Sequence, residues 1–366
     1  MVRLLKLLAV ALLTGIGVAI TYYVFEAAAH NAIDALWLNW IDTDQHRLLV
    51  VPMCLLLALM YFGAQHALDR TSERQESHGL GDAPKPTIAN FSKILFLGFL
   101  SLLAGASLGP EAILVPACTL LGAYIGSRFF GNSSQSTKLM GAAGLVALFA
   151  AFFNSFIIGM LGLLLIRKQT KLQLRPVLIA ISAVAAGSTI WLLGVLSSKP
   201  YVSLPPTNWY FNFRSLLGLI ILLVAGYAIT YVTGWLHRAA SILHAAVLKR
   251  PWWLRALVAA AGLAALYLAG GHLVEFTGNK SIVPMLQQAA ALGTDGLLWV
   301  VLVKIAAIGW SKAMGYRGGM IFPTIFVAST LVAIMHSHVP NLNFIYGLIA
   351  VLIGALFADR KVKILL

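Results

Sequence analysis

The chain has 366 residues, of which 60% are hydrophobic and only 10% are charged. A soluble domain carries about a quarter of its residues as charged side chains, so this composition excludes a water-soluble globular protein. The net charge of +14 does not indicate nucleic-acid binding, because the basic residues fall between apolar runs, as in the cytoplasmic loops of membrane proteins. We predict a multi-pass protein of the inner (plasma) membrane, with a cytoplasmic N-terminus and no nucleic-acid partner.

Eleven apolar runs follow one another along the chain. Crossing a bilayer takes about 20 apolar residues in a helix, and several runs are shorter, which predicts broken or re-entrant helices packed inside protein. The first run is long for a signal peptide and lacks a clear cleavage site, so we expect a retained helix. The runs are 4–28, 48–64, 88–104, 113–130, 139–166, 177–196, 216–235, 254–273, 297–310, 321–335 and 344–357.

Polar residues between the runs give little room for a second domain. The one long polar stretch, 65–86, is predicted to be a loop, and we expect residues 1–366 to form one transmembrane domain without a soluble regulatory domain. The basic clusters at 167–175 and 238–255 are expected on the cytoplasmic side. Within the second cluster, Trp252 and Trp253 beside Lys249 and Arg250 are typical of an anchor at the membrane interface.

Two segments interrupt the apolar pattern in a similar way. The first break, residues 105–112, reads Gly-Ala-Ser-Leu-Gly-Pro-Glu-Ala, and the second break, residues 315–323, reads Gly-Tyr-Arg-Gly-Gly-Met-Ile-Phe-Pro. Each follows an apolar helix and opens a short one. Paired breaks in corresponding halves are typical of inverted-repeat transporters, which here places the repeats at about 1–170 and 171–366. Two ordinary membrane loops are the alternative.

Glu111 is the one acidic residue between Asp82 and Glu275, and it lies in an otherwise uncharged run at the start of a predicted helix. A carboxylate at membrane depth costs roughly 2.5–3.5 kcal/mol on insertion scales, so such residues are rare and usually functional. A helix start that can bind a carboxylate can also bind a free anion. A glutamate and an anion competing for one helix end would form a gate. A structural carboxylate bonded to free N–H groups is the alternative.

The breaks and their flanks resemble the CLC chloride channels and transporters. Residues 107–112 are similar to the family motif G-K/R-E-G-P, and residues 318–323 are similar to the motif G-x-F-x-P. The run 304–315 resembles the helix before the second motif, and residues 152–159 resemble the family's F-N-x-P-x-x-G stretch. These matches occur in the family's order and cover much of 95–340. They most resemble a divergent bacterial CLC-like branch of ion-transport proteins.

The resemblance implies an all-α integral membrane protein, a CLC-like inverted-repeat helical bundle that transports chloride or another small monovalent anion. In the family the glutamate at the position of Glu111 is the gate, and backbone amides contact the anion. The implied anion-binding residues are Ser107, Gly109, Pro110, Gly318, Gly319, Met320, Ile321 and Phe322. A homodimer is also implied, but the family continues into further helices that carry part of its dimer interface. C-terminal truncation and oligomeric state therefore stay open.

Departures from the family pattern leave the mechanism class open. Pro110 replaces the basic residue of the first motif, and Ile321 stands at the phenylalanine position of the second. The family's proton-handling glutamate would fall near Leu165 or Ile166, where no acid lies. This favours an anion channel over a proton-coupled antiporter. A non-conducting membrane scaffold is the third alternative. Residues 78–84 are a weak counterpart of a further family motif, G-S-G-I-P.

The remaining reactive side chains have ordinary interpretations. Cys54 and Cys118 lie in apolar runs and are expected to be buried thiols rather than a disulfide. His336 and His338 are two positions apart, so they would face differently on a helix, and we expect a helix end rather than a metal site. We see no nucleotide-binding or zinc-protease motif, and therefore expect no enzyme activity, metal or cofactor.

Lys304 lies in the middle of an apolar run, where a charged side chain needs a partner. We expect it to pair with a backbone carbonyl, or with Asp295 if the run is tilted. The sequence alone does not separate these two partners.

Overall fold

The computed structural model describes residues 2–38, 44–68, 85–131, 134–153, 176–197 and 212–362. Within these ranges nearly all of the backbone is helical, which confirms the predicted all-α fold. Two short helices, the π-helix Asp34–Leu38 and the 3₁₀ helix Asp44–Leu49, lie between the first two α-helices. The α-helices are α1 (Val2–Ile33), α2 (Val50–Leu68), α3 (Ile88–Leu103), α4 (Glu111–Phe130), α5 (Ser134–Phe152), α6 (Pro176–Ser197), α7 (Phe213–Leu248), α8 (Trp252–Gly270), α9 (Ile282–Ala313), α10 (Ile321–His338) and α11 (Phe344–Val362).

Each predicted apolar run corresponds to one α-helix, but several boundaries were wrong. Helix α2 continues to Leu68, so residues 65–68, predicted as the start of a loop, are helical. Helix α7 is much longer than 216–235 and includes Arg238. Arg255, predicted in a cytoplasmic gap, lies inside α8 with only 8% of its surface exposed. A basic residue near a run boundary can be covered by neighbouring helices, which charge placement does not reveal. The predictions for residues 69–84 and 154–175 lie outside the described ranges.

Seven of the described helices are long and apolar enough to cross a membrane. Their outer faces carry large hydrophobic side chains, for example Phe213, Trp235 and Ile242 on α7, which are 79%, 64% and 75% exposed. Contiguous apolar surface of this kind is stable only against lipid or another protein. The chain is therefore a multi-pass membrane protein. Its orientation and its division into two sequence repeats stay predictions.

The chain divides into two compact units that alternate along the sequence. Unit 1 comprises Met1–Asn31, Ala67–Phe99 and Ala112–Pro200, and unit 2 comprises Ala32–His66, Leu100–Glu111 and Tyr201–Leu366. Both breaks belong to unit 2, apart from the last residue of the first one, and so does the carboxylate of Glu111.

In unit 1, small residues allow helix backbones to approach closely. Gly15 of α1 lies against the carbonyl of Ser182 in α6, and Gly122 of α4 lies against the carbonyl of Met140 in α5. Small residues at helix contacts are the usual way in which membrane helices maximise van der Waals packing. Buried aliphatic side chains from α1, α5 and α6 fill the space around these contacts.

In unit 2, α7 packs along α11, and α9 packs against α7, α8 and α10. Gly226 of α7 and Gly354 of α11 each lie against a carbonyl of the other helix. Helix α9 is interrupted at Gly293, whose φ of 63° is in the left-handed region that favours glycine. The predicted broken helix is confirmed at this point.

Candidate anion site

The two breaks meet in unit 2. Gly109 N–H donates to the carbonyl of Gly319, and Gly319 N–H donates to the carbonyl of Gly109, both at 2.7 Å. This reciprocal pair is an isolated antiparallel bridge. The prediction that the helix starts near Glu111 and Phe322 lie close together is confirmed. The depth of the pair in the membrane and the relative directions of the two helices stay predictions.

Glycine is required where the breaks meet because no side chain fits there. A Cβ atom on Gly109 or Gly319 would overlap the side chain of Glu111. A Cβ on Gly318 would overlap the side chain of Leu108. Room for the side chains of Glu111 and Leu108 beside the backbone, rather than an unusual φ angle, is therefore what these three glycines provide.

Glu111 is the first residue of α4, and its carboxylate binds the start of α10. Its Oε1 accepts hydrogen bonds from the backbone N–H groups of Ile321 at 2.6 Å and Phe322 at 3.3 Å. The residue is 4% exposed, and its Oε2 is buried without a hydrogen-bond partner among the described residues. Lys312, in the last turn of α9, is near enough to attract the carboxylate electrostatically. The carboxylate thus acts as an internal anion at a helix N-terminus.

The first break is held in place by polar contacts from α8, from α9 and from the loop between them. Ser107 donates its backbone N–H to Ser311 Oγ and its hydroxyl to the carbonyl of Phe276, each at 3.1 Å. Thr277 Oγ1 donates to the carbonyl of Leu108 at 2.8 Å. The Tyr267 hydroxyl donates to the carbonyl of Gly105. The ends of α8 and α9 and the loop between them therefore fix the backbone that presents Glu111.

Lys304 fixes that loop from the other side. Its side chain is fully buried, and Nζ donates to the carbonyls of Val274, at 2.9 Å, and Phe276. The ammonium also lies 5.4 Å from the ring centroid of Phe326, in range for a cation–π contact. The prediction of a carbonyl partner is confirmed. The carbonyl of Phe276 accepts from both Lys304 and Ser107, so this single carbonyl links the buried cation to the first break.

The second break is fixed by a different set of contacts. The Tyr61 hydroxyl donates to the carbonyl of Gly315 at 2.9 Å, and Arg317 N–H donates to Ser101 Oγ at 2.8 Å. Tyr316 donates its N–H to the carbonyl of Ser311 at 3.2 Å. Its ring stacks on Tyr61, with centroids 5.6 Å apart and planes 11° from parallel. These contacts fix residues 315–317, and the carboxylate of Glu111 binds the start of α10.

The structure brings the predicted site residues together, but their hydrogen-bond donors are not equally available to an anion. Both donors of Ser107 already have protein partners, and the N–H groups of Gly109 and Gly319 bond to each other's carbonyls. Pro110 has no N–H to donate. The amide donors that a competing anion could take over from a carboxylate are those of Ile321 and Phe322. Gly318 and Met320 complete the backbone that leads to them.

Sequence reasoning missed the residues that support the site. Tyr267 lies within a predicted apolar run and Phe276 just after it, so neither carries a local signal. Phe276 has a positive φ of 54°, which is uncommon for a non-glycine residue. An unusual backbone angle of this kind depends on the contacts that hold it, which the sequence does not encode locally.

The remaining predictions concern cysteines and histidines. Cys54 and Cys118 are buried free thiols, as expected. His338 is exposed at the end of α10, with Nδ1 at 3.0 Å from both the carbonyl of Ile334 and Ser337 Oγ. Among the described residues no group of three or more histidine, cysteine or acidic side chains could hold a metal ion.

Known proteins with a similar sequence were found in one family. The family described as "Voltage gated chloride channel" matches residues 80–358. The protein named "Putative ion-transport protein YfeO" from Escherichia coli strain 55989 is 31% identical over 272 residues, which is 70% of this chain and 60% of that protein. The protein of the same name from strain E2348/69 is 30% identical over 263 residues, with the same coverage. The chain thus spans about 60% of the length of these curated relatives.

Solved structures of similar fold include two that are described as CLC proteins. A slow cyanobacterial Cl⁻/H⁺ antiporter has a TM-score of 0.75 and 16% identity, over 97% of this chain and 95% of that one. A eukaryotic CLC transporter has a TM-score of 0.67 and 13% identity, over 98% and 72%. A CLC-type fluoride/proton antiporter has a TM-score of 0.61 and 16% identity, over 99% and 88%. The predicted CLC-like fold is confirmed, and from the sequence match the chain belongs to the voltage-gated chloride channel (CLC) family.

Proposed function

We propose that the protein transports chloride or a similar small monovalent anion across the membrane, with Glu111 as the gate. The observation that carries this proposal is the bond between the Glu111 carboxylate and the N–H groups of Ile321 and Phe322. Those donors stand at the start of α10, where the helix dipole favours negative charge. A free anion would compete with the carboxylate for the same two donors.

The gate works by exchange of one negative charge for another. When Glu111 takes up a proton, it loses the charge that favours the helix end, and the N–H groups of Ile321 and Phe322 become available to a passing anion. A charge at a helix N-terminus gains about 0.3–2 kcal/mol. Such a modest gain suits transport, because an anion must bind well enough to enter and weakly enough to leave.

Proton-coupled exchange is the second candidate mechanism. Two of the structures of similar fold are described as anion/proton antiporters, and a gate that gains and loses a proton can carry that proton. Leu165 and Ile166, where the resemblance places a second proton-handling acid, argue for a channel instead. We therefore propose a channel and keep the antiporter as the alternative, with a non-conducting scaffold as the third.

The proposal extends to location and assembly. The basic residues between apolar runs support a plasma-membrane protein with its N-terminus and basic clusters in the cytoplasm. The broad apolar face of α7 suits a lipid bilayer or a second copy of the chain, and a homodimer is the assembly that the family resemblance implies.

Chloride efflux from liposomes that contain the purified protein tests the proposal. We expect efflux from the wild type to rise as the pH falls, because protonation removes the competing charge of Glu111. Glu111→Gln should flatten this pH dependence, since glutamine is neutral at every pH. Glu26→Gln makes the same change at another buried carboxylate, in α1, and should keep the wild-type profile.

The same vesicles separate the alternatives. Proton movement against its own gradient, at a fixed ratio to chloride flux, would replace the channel by an antiporter. Absence of chloride flux from folded wild-type protein would leave the scaffold. An active Glu111→Gln variant with a wild-type pH profile would remove Glu111 from the gate.

A further inference from the structure

Helix α7 is longer than a membrane crossing requires. Its 36 residues, Phe213–Leu248, extend about 54 Å at 1.5 Å per residue. The hydrocarbon core of a bilayer is about 30 Å thick and takes about 20 helical residues, which the apolar run 216–235 supplies on its own. Residues 236–248 therefore continue beyond that run toward the lipid head groups, and they end in a short turn to α8.

The outer face of this continuation is apolar in the middle and basic at both ends. Ile242 and Leu248 are 75% and 42% exposed. Arg238 lies before them, and Lys249 and Arg250 follow them, all three exposed. Exposed aliphatic side chains between basic ones are typical of a helix segment at the boundary between head groups and acyl chains.

The turn between α7 and α8 is followed by two neighbouring tryptophans with different surroundings. The ring of Trp252 stacks on His66 of α2, with centroids 6.2 Å apart, and a Cβ on Gly63 would lie 3.3 Å from that ring. Trp253 is 48% exposed. Tryptophan is enriched at the membrane–water interface, where its ring lies at the level of the head groups. Trp252 therefore fixes the turn to α2, and Trp253 is the ring that faces outward.

The positive charge of this turn has no acidic counterpart on the helices that form it. Residues 213–270, which include all of α7 and α8, contain no aspartate or glutamate. Helix α2, on which Trp252 packs, contains none either. The exposed charges of Lys249 and Arg250 therefore need a partner from other helices or from outside the chain.

The acidic residues of the other helices packed along α7 lie toward its opposite end. Gly309 of α9 packs against the backbone of His237, and Asp295 lies about 21 Å further along α9. Helix α11 packs on Leu223, in the first half of α7. Because the two helices are antiparallel, Asp359 of α11 lies still nearer the start of α7. An anionic group from outside the chain is the partner that complements the turn.

We propose that the α7–α8 turn binds the head groups of anionic phospholipids, with Lys249 and Arg250 as the partners of the phosphate and Trp253 as the interfacial anchor. This inference is independent of anion transport. Basic residues beside a membrane surface are attracted to anionic lipids, and here two of them stand together on a turn that Trp252 holds in place. A zwitterionic head group presents the same phosphate beside a positive group, so it complements the turn less well.

Thermal unfolding of the purified full chain in detergent micelles tests this proposal. Phosphatidylglycerol and phosphatidylcholine with the same acyl chains are titrated separately, so that only the head group differs. A ligand that binds the folded state raises the melting temperature, and we expect phosphatidylglycerol to act at the lower concentration. Lys249→Gln combined with Arg250→Gln should raise the phosphatidylglycerol concentration at half-maximal stabilisation about thirtyfold and change the phosphatidylcholine titration little.

Three further variants serve as controls. Arg360→Gln combined with Lys361→Gln removes two exposed charges from the end of α11, and it should keep the wild-type preference for phosphatidylglycerol. Trp253→Ala should weaken the response to both lipids, because the outward ring is lost. Trp252→Ala should lower the melting temperature at every lipid concentration alike, because its ring packs on α2.

Three outcomes would overturn the proposal. The first is a wild-type protein that responds equally to the two lipids. The second is a doubly substituted turn with the wild-type phosphatidylglycerol titration, which would make an acidic protein segment the better candidate occupant. The third is an equal loss in the α11 variant, because net charge rather than the turn would then attract the lipid. None of these measurements involves chloride flux, so the transport proposal is tested separately.

Discussion

The two breaks are alike in sequence and unlike in chemistry. In the first, Ser107 and Leu108 are bonded to α9 and to the loop between α8 and α9, and Glu111 extends from this fixed backbone. The second break provides the N–H groups that receive Glu111 and the hydroxyl of Tyr316. One break presents a negative charge, and the other presents the donors that bind it.

Two breaks that are similar in sequence therefore need not have the same chemical role. The reciprocal bonds between Gly109 and Gly319 are symmetric, but the side chains around them are not. Support for the first break comes from Lys304 through the carbonyl of Phe276. Under the proposed function, a competing anion would take the N–H donors of the second break, so the proposed ligand chemistry depends on that break.

The largest effect is expected from Gly319→Ala, which tests whether the second break must lack a side chain at this position. The new methyl group would overlap the side chain of Glu111, so the bridge to Gly109 and the bonds at the start of α10 could not all remain. We expect a loss of at least about 3 kcal/mol of stability and no chloride flux, measured by thermal unfolding and liposome efflux.

Gly187→Ala is the matched control for that change. Gly187 lies in α6, and a Cβ there meets no atom of the described residues within 4 Å. The substitution should be neutral or stabilise by up to about 1 kcal/mol, because alanine is favoured over glycine in a helix. A Gly319→Ala protein as stable and active as Gly187→Ala would contradict the close packing described for the second break.

A smaller effect is expected from Lys304→Met, which tests the support behind the first break. Methionine has a similar length but cannot donate to the carbonyls of Val274 and Phe276. Leaving buried carbonyls with fewer donors should lower stability by about 2 kcal/mol. Hydrogen exchange at residues 272–278 should accelerate more than exchange in α11. Uniform acceleration throughout unit 2 would mean that Lys304 stabilises the unit generally rather than the loop.

The smallest effect is expected from Ser107→Ala, which decides between two roles for this serine. Because its hydroxyl already donates to Phe276, alanine should cost about 1 kcal/mol of stability and change the chloride dependence of liposome efflux little. A large loss of chloride affinity with normal stability would instead make Ser107 an anion ligand, and the first break would then share the ligand chemistry of the second.

How much of the structure could be predicted from the sequence depends on how far apart along the chain the contacting residues lie. Apolar run length predicted every described α-helix, and the isolation of Glu111 in an uncharged run indicated the site. The partners of Ser107 and Leu108 lie 169 to 204 residues away, and no local pattern predicts which segment will supply them. The prediction for Arg255 was wrong for the same reason, since the burial of this side chain depends on neighbouring helices. Tyr316 was visible as a residue, but the absence of a hydrogen-bond partner for its hydroxyl among the described residues depends on the packed structure.

The bond between Glu111 and Ile321 spans 210 residues, which has a consequence for biosynthesis. Glu111 emerges from the ribosome long before the residues that satisfy its charge. Until α10 is made, the nascent chain carries an acidic side chain in an apolar segment, at a cost of a few kcal/mol in the bilayer. The first break also lacks the loop that holds it during this interval. We therefore expect the N-terminal half to take its final position in the membrane only after the second break has been synthesised. Until then, Glu111 should be protonated or lie near the membrane interface.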